Sequence, residues 1–363
     1  MYLNGQLEVT IADKLLKTVV SVNAKNDGHA LGAECDLVVP LNCRIQYQDG
    51  RNDYLTAYTK VLFNVGDSIT VRAKYVGYDW QTIFTGFVFD FLEGTPMTIK
   101  CMDYIYFFQL GIFGTSRVLV KKNKKSKTSF ASVGCSFKSI TLKDLMQKLV
   151  DFVNDTIDDK TDNTNHVILV LPMPDMDLVN ITFAMMSPAA ILEWIKKELG
   201  FNISLDGNQL YVNVASNTTS VITYDTTRNV VTSDLQKPAS TFQTYKVKAW
   251  FIREDGTKDS YEVGDASGQL REVFFYRVKR DNSLYQKLAT EALNKVKQQR
   301  YNGNIETYLY PQPILFAKAI YSDKRYPDKN GNYVIIGIDT TIDASGYRHK
   351  LKWAYLDDVQ TGL

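Results

Sequence analysis

The sequence predicts an α+β, mainly β protein: two similar β-barrel domains with an inserted α+β domain and a further helical insertion. Three observations predict it. Runs with the two-residue period of strands fill both ends of the chain, and Gly, Asn, Asp and Pro punctuate them. Helical stripes with capping signals are confined to the middle and to one later segment. Aromatics reach 12%, with 22 Tyr and 18 Phe, which suits β-structure and large protein contacts. The boundaries follow these shifts: 1–115 first barrel, 116–220 inserted α+β domain, 221–265 first part of the second barrel, 266–303 helical insertion, and 304–363 closing strands.

In the first segment, Leu7-Glu-Val-Thr-Ile and Val19-Val-Ser-Val-Asn alternate, with a turn at Asn26-Asp27-Gly28. Asp36-Leu-Val-Val-Pro-Leu is a short apolar strand with Pro40 near its end, where an edge tolerates it. From Phe63 to Leu110 three strands succeed one another. Ile69, Val71, Ala73 and Tyr75 alternate with polar residues, so one face of that strand is buried. Ile83 to Phe91 is denser, as in a strand covered on both sides.

The basic run Lys121–Lys127 reads as an exposed loop, because no aromatic is interleaved in it. Thr141 caps a helix carrying Leu142, Leu145, Met146, Leu149 and Val153 on one face. Asn154 to Asn165 is polar and reads as a loop. His166 to Pro172 is a strand. Ser187-Pro188 opens a second helix with the stripe Ile191, Leu192, Ile195 and Leu199. A hairpin follows through Asp206-Gly207-Asn208. Strands are expected at Asn229–Asp234 and Thr241–Ile252, the latter turning at Gly256 into Lys258–Val263. A third helix spans Ser283 to Gln299. The β-segment from Asn304 to Leu356 completes the second barrel, which is expected to be separate from the first and to share its topology.

Three steps carry a resemblance: Gly66-Asp67 leading into a strand, Phe84-Thr85-Gly86 inside the next, and Cys101-Met102-Asp103 closing a third. A second ordered set ends the chain: Gly303-Asn-Ile-Glu-Thr-Tyr, Gly331-Asn-Tyr-Val-Ile-Ile-Gly, and Ser345-Gly-Tyr-Arg-His-Lys. Together they resemble phage baseplate hub proteins, the late control D and contractile-tail hub family. The chain departs from that family at Pro311-Gln-Pro-Ile-Leu-Phe, where a Gly-x-Pro and a Pro-Gly-Asp step often stand. The resemblance implies two tail-tube-like barrels per chain and a homotrimer with six quasi-equivalent barrels. Such a ring joins a hexameric tail tube protein to a trimeric spike protein and meets other baseplate proteins. It implies a virion tail baseplate, or a related injection-machine particle, assembled in the bacterial cytoplasm. No glycine-rich β-helical tail follows the second barrel, so the spike is expected to be a separate chain.

The balance of 42 Lys+Arg against 40 Asp+Glu argues against a partner held by counterion release, such as nucleic acid. Met1–Thr10 lacks the basic start and apolar core of a signal peptide, and no run approaches the length of a membrane span. Cys35, Cys43, Cys101 and Cys135 form no Cys-x-x-Cys pair, and disulfides are not expected. His29, His166 and His349 lack neighbours at metal-ligand spacing, and His29 with Cys35 is a poor site. No phosphate loop, Gly-x-Ser-x-Gly elbow or Cys–His signature occurs. We therefore expect no catalytic residues, no cofactor, no metal and no enzymatic activity.

Two other function classes stay open at this point. A tail-associated cell-wall hydrolase needs paired carboxylates in a cleft; Asp158, Asp159, Asp175, Asp177 and Glu193 beside Trp194 are available. A β-rich carbohydrate-binding adhesin needs exposed aromatic platforms, and Tyr104-Ile-Tyr-Phe-Phe108 is the densest aromatic cluster.

Overall fold

The computed structural model describes residues 4–28, 30–40, 42–47, 49–54, 63–114, 134–160, 165–171, 173, 175–199, 201, 203–212, 217–236, 244–253, 256–276, 281–297 and 303–355. The fold is α+β and mainly β. The first lobe holds β1 (Gly5–Ile11), β2 (Lys14–Leu16), β3 (Ser21–Asp27), β4 (Glu34–Val39), β5 (Arg44–Tyr47), β6 (Asn52–Tyr54), β7 (Ser68–Tyr75), β8 (Gln81–Leu92) and β9 (Met97–Met102). A middle unit follows: α1 (Ile105–Gln109), β10 (Gly134–Thr141), α2 (Leu142–Lys160), β11 (Ile168–Leu169), β12 (Asp177–Ala184), α3 (Pro188–Leu199), β13 (Ile203–Asp206) and β14 (Gln209–Val212). Then come β15 (Asn217–Asp225), β16 (Val230–Ser233), β17 (Tyr245–Ile252), β18 (Lys258–Gly264), β19 (Gln269–Tyr276) and α4 (Asn282–Lys297). The chain closes with β20 (Gly303–Tyr308), β21 (Ala317–Ser322), β22 (Gly331–Asp343) and β23 (Gly346–Tyr355).

The two lobes repeat one strand order. Along the sheet the first runs β3-β4-β9-β8-β7-β1 and the second β16-β20-β23-β22-β21-β15. With β2, β5 and β6 set aside, which extend the first lobe's sheet beyond β1, each set of six ranked by position in the chain reads second, third, sixth, fifth, fourth, first. The neighbouring strands are antiparallel throughout, except that β15 pairs parallel with β21 where β1 pairs antiparallel with β7. A bulge recurs at the same place. Phe89 is left unpaired between Val88↔Cys101 and Asp90↔Lys100, and Ile336 between Ile335↔Trp353 and Gly337↔Lys352. Such a bulge bends the longest strand of each lobe and re-aims its second half.

The lobes do not form separate sheets, which corrects the expectation of two self-contained barrels. The second half of β22 pairs with β3 from Gly337↔Asp27 to Ile342↔Val22, fusing both lobes into one 15-stranded sheet. Each lobe keeps its own core. One gathers Val22, Leu37, Val71, Ile99 and their neighbours, and the other Tyr224, Ile305, Tyr321, Leu351 and Trp353.

Two further differences concern the middle. Residues 245–264 were expected in the second barrel. Instead β17 pairs with β18 and β19 in a separate three-stranded sheet. Its buried Val247, Ala249 and Phe251 meet Tyr285 and Leu288 of α4, in the same core as α1, α2 and α3. Helix α2 also runs to Lys160, beyond the expected end at Asn154. Thr156 and Ile157 are buried and prolong its apolar stripe. Asn154 turns inward to grip the backbone of Val167, donating to its carbonyl at 3.0 Å and accepting from its N–H at 2.8 Å. The expected caps hold: Asp144 N–H donates to Thr141 Oγ1 at 3.0 Å, and Ala190 N–H to Ser187 Oγ at 3.2 Å.

Candidate functional site

The feature with the most chemistry to offer is a surface, formed by the antiparallel run β16-β20-β23-β22-β3-β4-β9-β8. Its inner face is apolar, with Ile305, Leu351, Ile342, Val22, Leu37 and Ile99 buried in the two cores. Its outer face carries cross-strand rows of alternating charge. One row is Glu306↔Lys350↔Asp339↔Lys25↔Glu34, which crosses both lobes. A second includes Asp36↔Lys100↔Asp90. Opposite charges placed directly across strands support the pairing, and their near balance leaves the face polar without a strong net sign. Lys352 Nζ lies 2.5 Å from Asp27 Oδ2 across the join between the lobes, and this bond holds the amine above its ordinary range. Gly28 N–H donates to the bulged Ile336 carbonyl at 2.8 Å. A Cβ at Gly28 would lie 2.8 Å from the Phe316 ring and 3.0 Å from that carbonyl, so the approach needs glycine.

The motif residues of the first lobe converge on the bent strand β8. Gly66, with φ +97°, donates its N–H to Val88 O at 2.8 Å, and Val88 N–H returns to Asp67 O at 2.9 Å. Asp67 Oδ2 accepts from Asn64 N–H at 2.8 Å and fixes the turn. Gly86 lets the Met102 carbonyl pass; a Cβ there would sit 2.2 Å from that oxygen. Asp103 is buried and accepts N–H groups from Ala33 at 2.7 Å and Ile105 at 2.9 Å, tying the loop before β4 to the start of α1.

A cavity of about 310 Å³ lies where the lobes meet the β13–β14 hairpin, with Lys25, Thr85, Asp103, Asp206, Gln312 and His349 on its walls. Burial pushes the Asp103 carboxyl up to about 7, against its two N–H bonds, and raises Asp206 as well. His349 is buried, shares a 2.8 Å hydrogen bond with Thr340 Oγ1, and lies 3.2 Å from the Leu309 carbonyl. Burial holds its imidazole down at about 4. Asp103 spends its oxygens on backbone N–H groups and His349 is engaged by Thr340 and the Leu309 carbonyl, so these two groups are held by bonds within the fold. The Pro311–Phe316 segment, where the chain departs from the hub pattern, borders the cavity; Gln312 reaches the Thr82 carbonyl at 3.0 Å.

The other candidate residues are scattered. His166 sits on the surface 2.8 Å from Asp158. Asp159 and Asp175 are exposed, Asp177 is half-buried in β12, and Glu193 is exposed on α3. Trp194 is half-buried and packs edge-on against Phe183, with ring centroids 5.5 Å apart. Cys35 and Cys101 are buried cross-strand neighbours, and Cys43 is buried. Burial raises all three thiols, so none is an activated nucleophile. Tyr104, Phe107 and Phe108 are buried in the core of the middle unit, and Tyr104 and Phe107 meet the Phe87 ring edge-on, which makes them core rather than a sugar platform. His29 and the basic run 121–127 lie outside the described residues. Among the described residues, no group of three or more His, Cys, Asp and Glu could hold a metal ion, and no helix is long and apolar enough to cross a membrane.

The charged rows went unread in the sequence. Their signal was available as charge at every second position, in Glu34/Asp36 and in Arg348/Lys350/Lys352.

No family model and no curated protein matches the chain. Solved structures do. A tail protein from Neisseria meningitidis MC58 aligns over 99% of this chain and 98% of its own, with a TM-score of 0.64 and 13% identity. The 43 kDa tail protein of prophage MuSo2 from Shewanella oneidensis aligns over 98% and 100%, with a TM-score of 0.60 and 14% identity. An E. coli component of the type VI secretion system, described as similar to T4 bacteriophage tail proteins gp27 and gp5, aligns over 95% and 76% at 0.57 and 6% identity. The chain is thus similar in fold, over nearly its whole length, to phage and prophage tail proteins and to a type VI secretion component, as the hub resemblance in its sequence implied.

Proposed function

We propose that this chain is a structural tail protein, the baseplate hub of a contractile phage tail or related injection machine. In this reading three copies form a ring that joins the hexameric tail tube to the trimeric spike, and the protein performs no catalysis. The observation that carries it is the repeated strand order of the two lobes within one continuous sheet. A chain with two equivalent lobes offers six positions from three copies, which is how a three-fold partner can meet a six-fold one through closed cyclic contacts. The similarity in fold to tail proteins supports the setting. The test is the mass of the purified protein in solution, alone and mixed with candidate tube and spike proteins from the same genome, with electron-microscope images of the product. A three-copy ring bound end-on by both neighbours is expected. A monomer that binds neither would sink the proposal.

A further inference from the structure

The wall of the cavity between the lobes and the β13–β14 hairpin presents mainly hydrogen-bond acceptors. The Leu309 carbonyl can only accept, so the neutral His349 ring carries its proton on Nε2 and leaves Nδ1 as an acceptor. Thr340 must then donate its hydroxyl proton to Nδ1, and its oxygen keeps lone pairs to offer. Thr340 is buried and lines the cavity. Asp103, also buried, accepts one N–H on each carboxyl oxygen and has acceptor capacity left on both. Asp206 stands exposed at the rim, and its carboxyl makes no hydrogen bond with the described residues. No cation is among the main influences on either carboxyl. Lys25, on the same wall, belongs to the charged outer row between Asp339 and Glu34.

The rest of the wall is apolar, with Ala24, Phe84 and Leu315 buried in it. A space of about 310 Å³ is at the small end of the range for ligand pockets. We propose that this cavity binds a small organic cation, an alkylammonium or alkylguanidinium. Its head lies between Asp103 and Asp206, its carbon chain runs along Phe84 and Leu315, and Thr340 accepts a further N–H. A metal ion suits the place less well, since no group of three or more metal-ligating side chains occurs among the described residues. The inference goes beyond the structural reading above and does not depend on it. Asp103 belongs to the first lobe, Thr340 and Leu315 to the second, and Asp206 to the hairpin, so the ligand pins three parts of the chain together.

Binding of this kind is coupled to a proton. With no cation beside it, Asp103 titrates near 7. The charged groups that face it are Asp206 from the hairpin and Glu34 from β4, and both push it up. Lys25 from β3 and His349 from β23 line the same cavity, and His349, held down at about 4, stays neutral near pH 7. A cationic head favours the ionised carboxyl, so uptake of the ligand expels the Asp103 proton. Affinity therefore rises with pH through the neutral range, where ammonium and guanidinium groups keep their charge.

The test titrates the full chain with agmatine by calorimetry at fixed ionic strength. The neutral probe is 1-butanol and the metal probe is calcium chloride. Saturable binding of agmatine is expected, about tenfold tighter at pH 8 than at pH 6, with release of a proton. Asp206→Asn, a change at the exposed rim, is expected to weaken it about tenfold while the melting temperature and the pH dependence stay. Glu193→Gln, exposed on α3, is expected to change nothing. Asp103→Asn, if it folds, is expected to abolish the pH dependence. Retention of agmatine after candidate tube and spike proteins are added identifies a free ligand. Its release by one of them identifies a Lys or Arg side chain of that protein as the occupant. Four results overturn the proposal: no saturable binding, butanol binding as well as agmatine, calcium displacing agmatine at equal concentration, or an affinity unchanged in Asp206→Asn.

Discussion

Lys352 and Asp27 form an ion pair across the join of the two lobes, from opposite ends of the chain, with Nζ 2.5 Å from Oδ2. The pair sits where β23, β22 and β3 run side by side, so it measures the join rather than either lobe. The side chains are 40% and 29% exposed, which places the interaction near the solvent-screened end of the range. Lys352→Met is expected to lower stability by about 1 kcal/mol, less at high salt. A double-mutant cycle with Asp27→Asn checks it. Strictly additive effects would show that the pair contributes nothing to the join.

Gly86→Ala is expected to destabilise the protein by at least about 2 kcal/mol, because the added methyl would meet backbone that has no room to retreat. The nearest atom would be the Met102 carbonyl oxygen at 2.2 Å. Gly94→Ala, whose nearest contact would be at 3.2 Å, is the milder control. Urea midpoints of the two variants decide the matter, and equal midpoints would contradict the account of the Phe-Thr-Gly motif.

Two buried groups should make stability respond to pH in opposite senses. His349 is held down to about 4 from 6.5, so the folded chain binds fewer protons than the unfolded chain between those values. The stability this leaves above pH 6.5 is lost as pH falls toward 4, by about 3 kcal/mol in all. Asp103 is pushed up to about 7 from 3.8, so the folded chain keeps a proton that the unfolded chain releases. That contribution is present below pH 3.8 and is lost as pH rises toward 7, by about 4 kcal/mol. The wild type is expected to be nearly flat between pH 4.5 and 6.5. His349→Gln, freed of the opposing slope, is expected to become less stable as pH rises. Denaturant titrations at both pH values check this, and an unchanged slope in the variant would refute it.

Thr141→Ala removes the acceptor for the Asp144 N–H at the start of α2 and is expected to cost about 1 kcal/mol. Thr141→Ser, which keeps the oxygen, is expected to recover most of it. Thermal melts of the three proteins distinguish a capping role from general packing.

Local signals in the sequence were read correctly where the physics is local. Thr141 and Ser187 cap helices because a side-chain oxygen reaches an N–H three residues on. Gly66-Asp67, Gly86 and Asp103 mark turns and close approaches that few residue types tolerate. Pairing between distant strands was less legible. The alternation in 245–252 says that a strand forms, but Val247, Ala249 and Phe251 would suit the second lobe as well as the sheet under α4. The polar composition of 154–159 hid the buried Thr156 and Ile157 that prolong α2. The join of β22 to β3 depends on residues more than 300 positions apart, such as Gly337 and Asp27, and periodicity carries no information about such a partner.

The β3–β22 join has a mechanical meaning. A contact between two stretches of one chain is tethered: dilution does not separate its halves, and after a momentary opening they find each other at the high local concentration set by the tether. A contact between separate molecules has no such protection. In the three-copy ring proposed above, the two kinds of contact would alternate, and half of the seams would be fastened by covalent continuity. Under strain such a ring would yield at the other three and come apart into whole chains, each still carrying its fused pair of lobes.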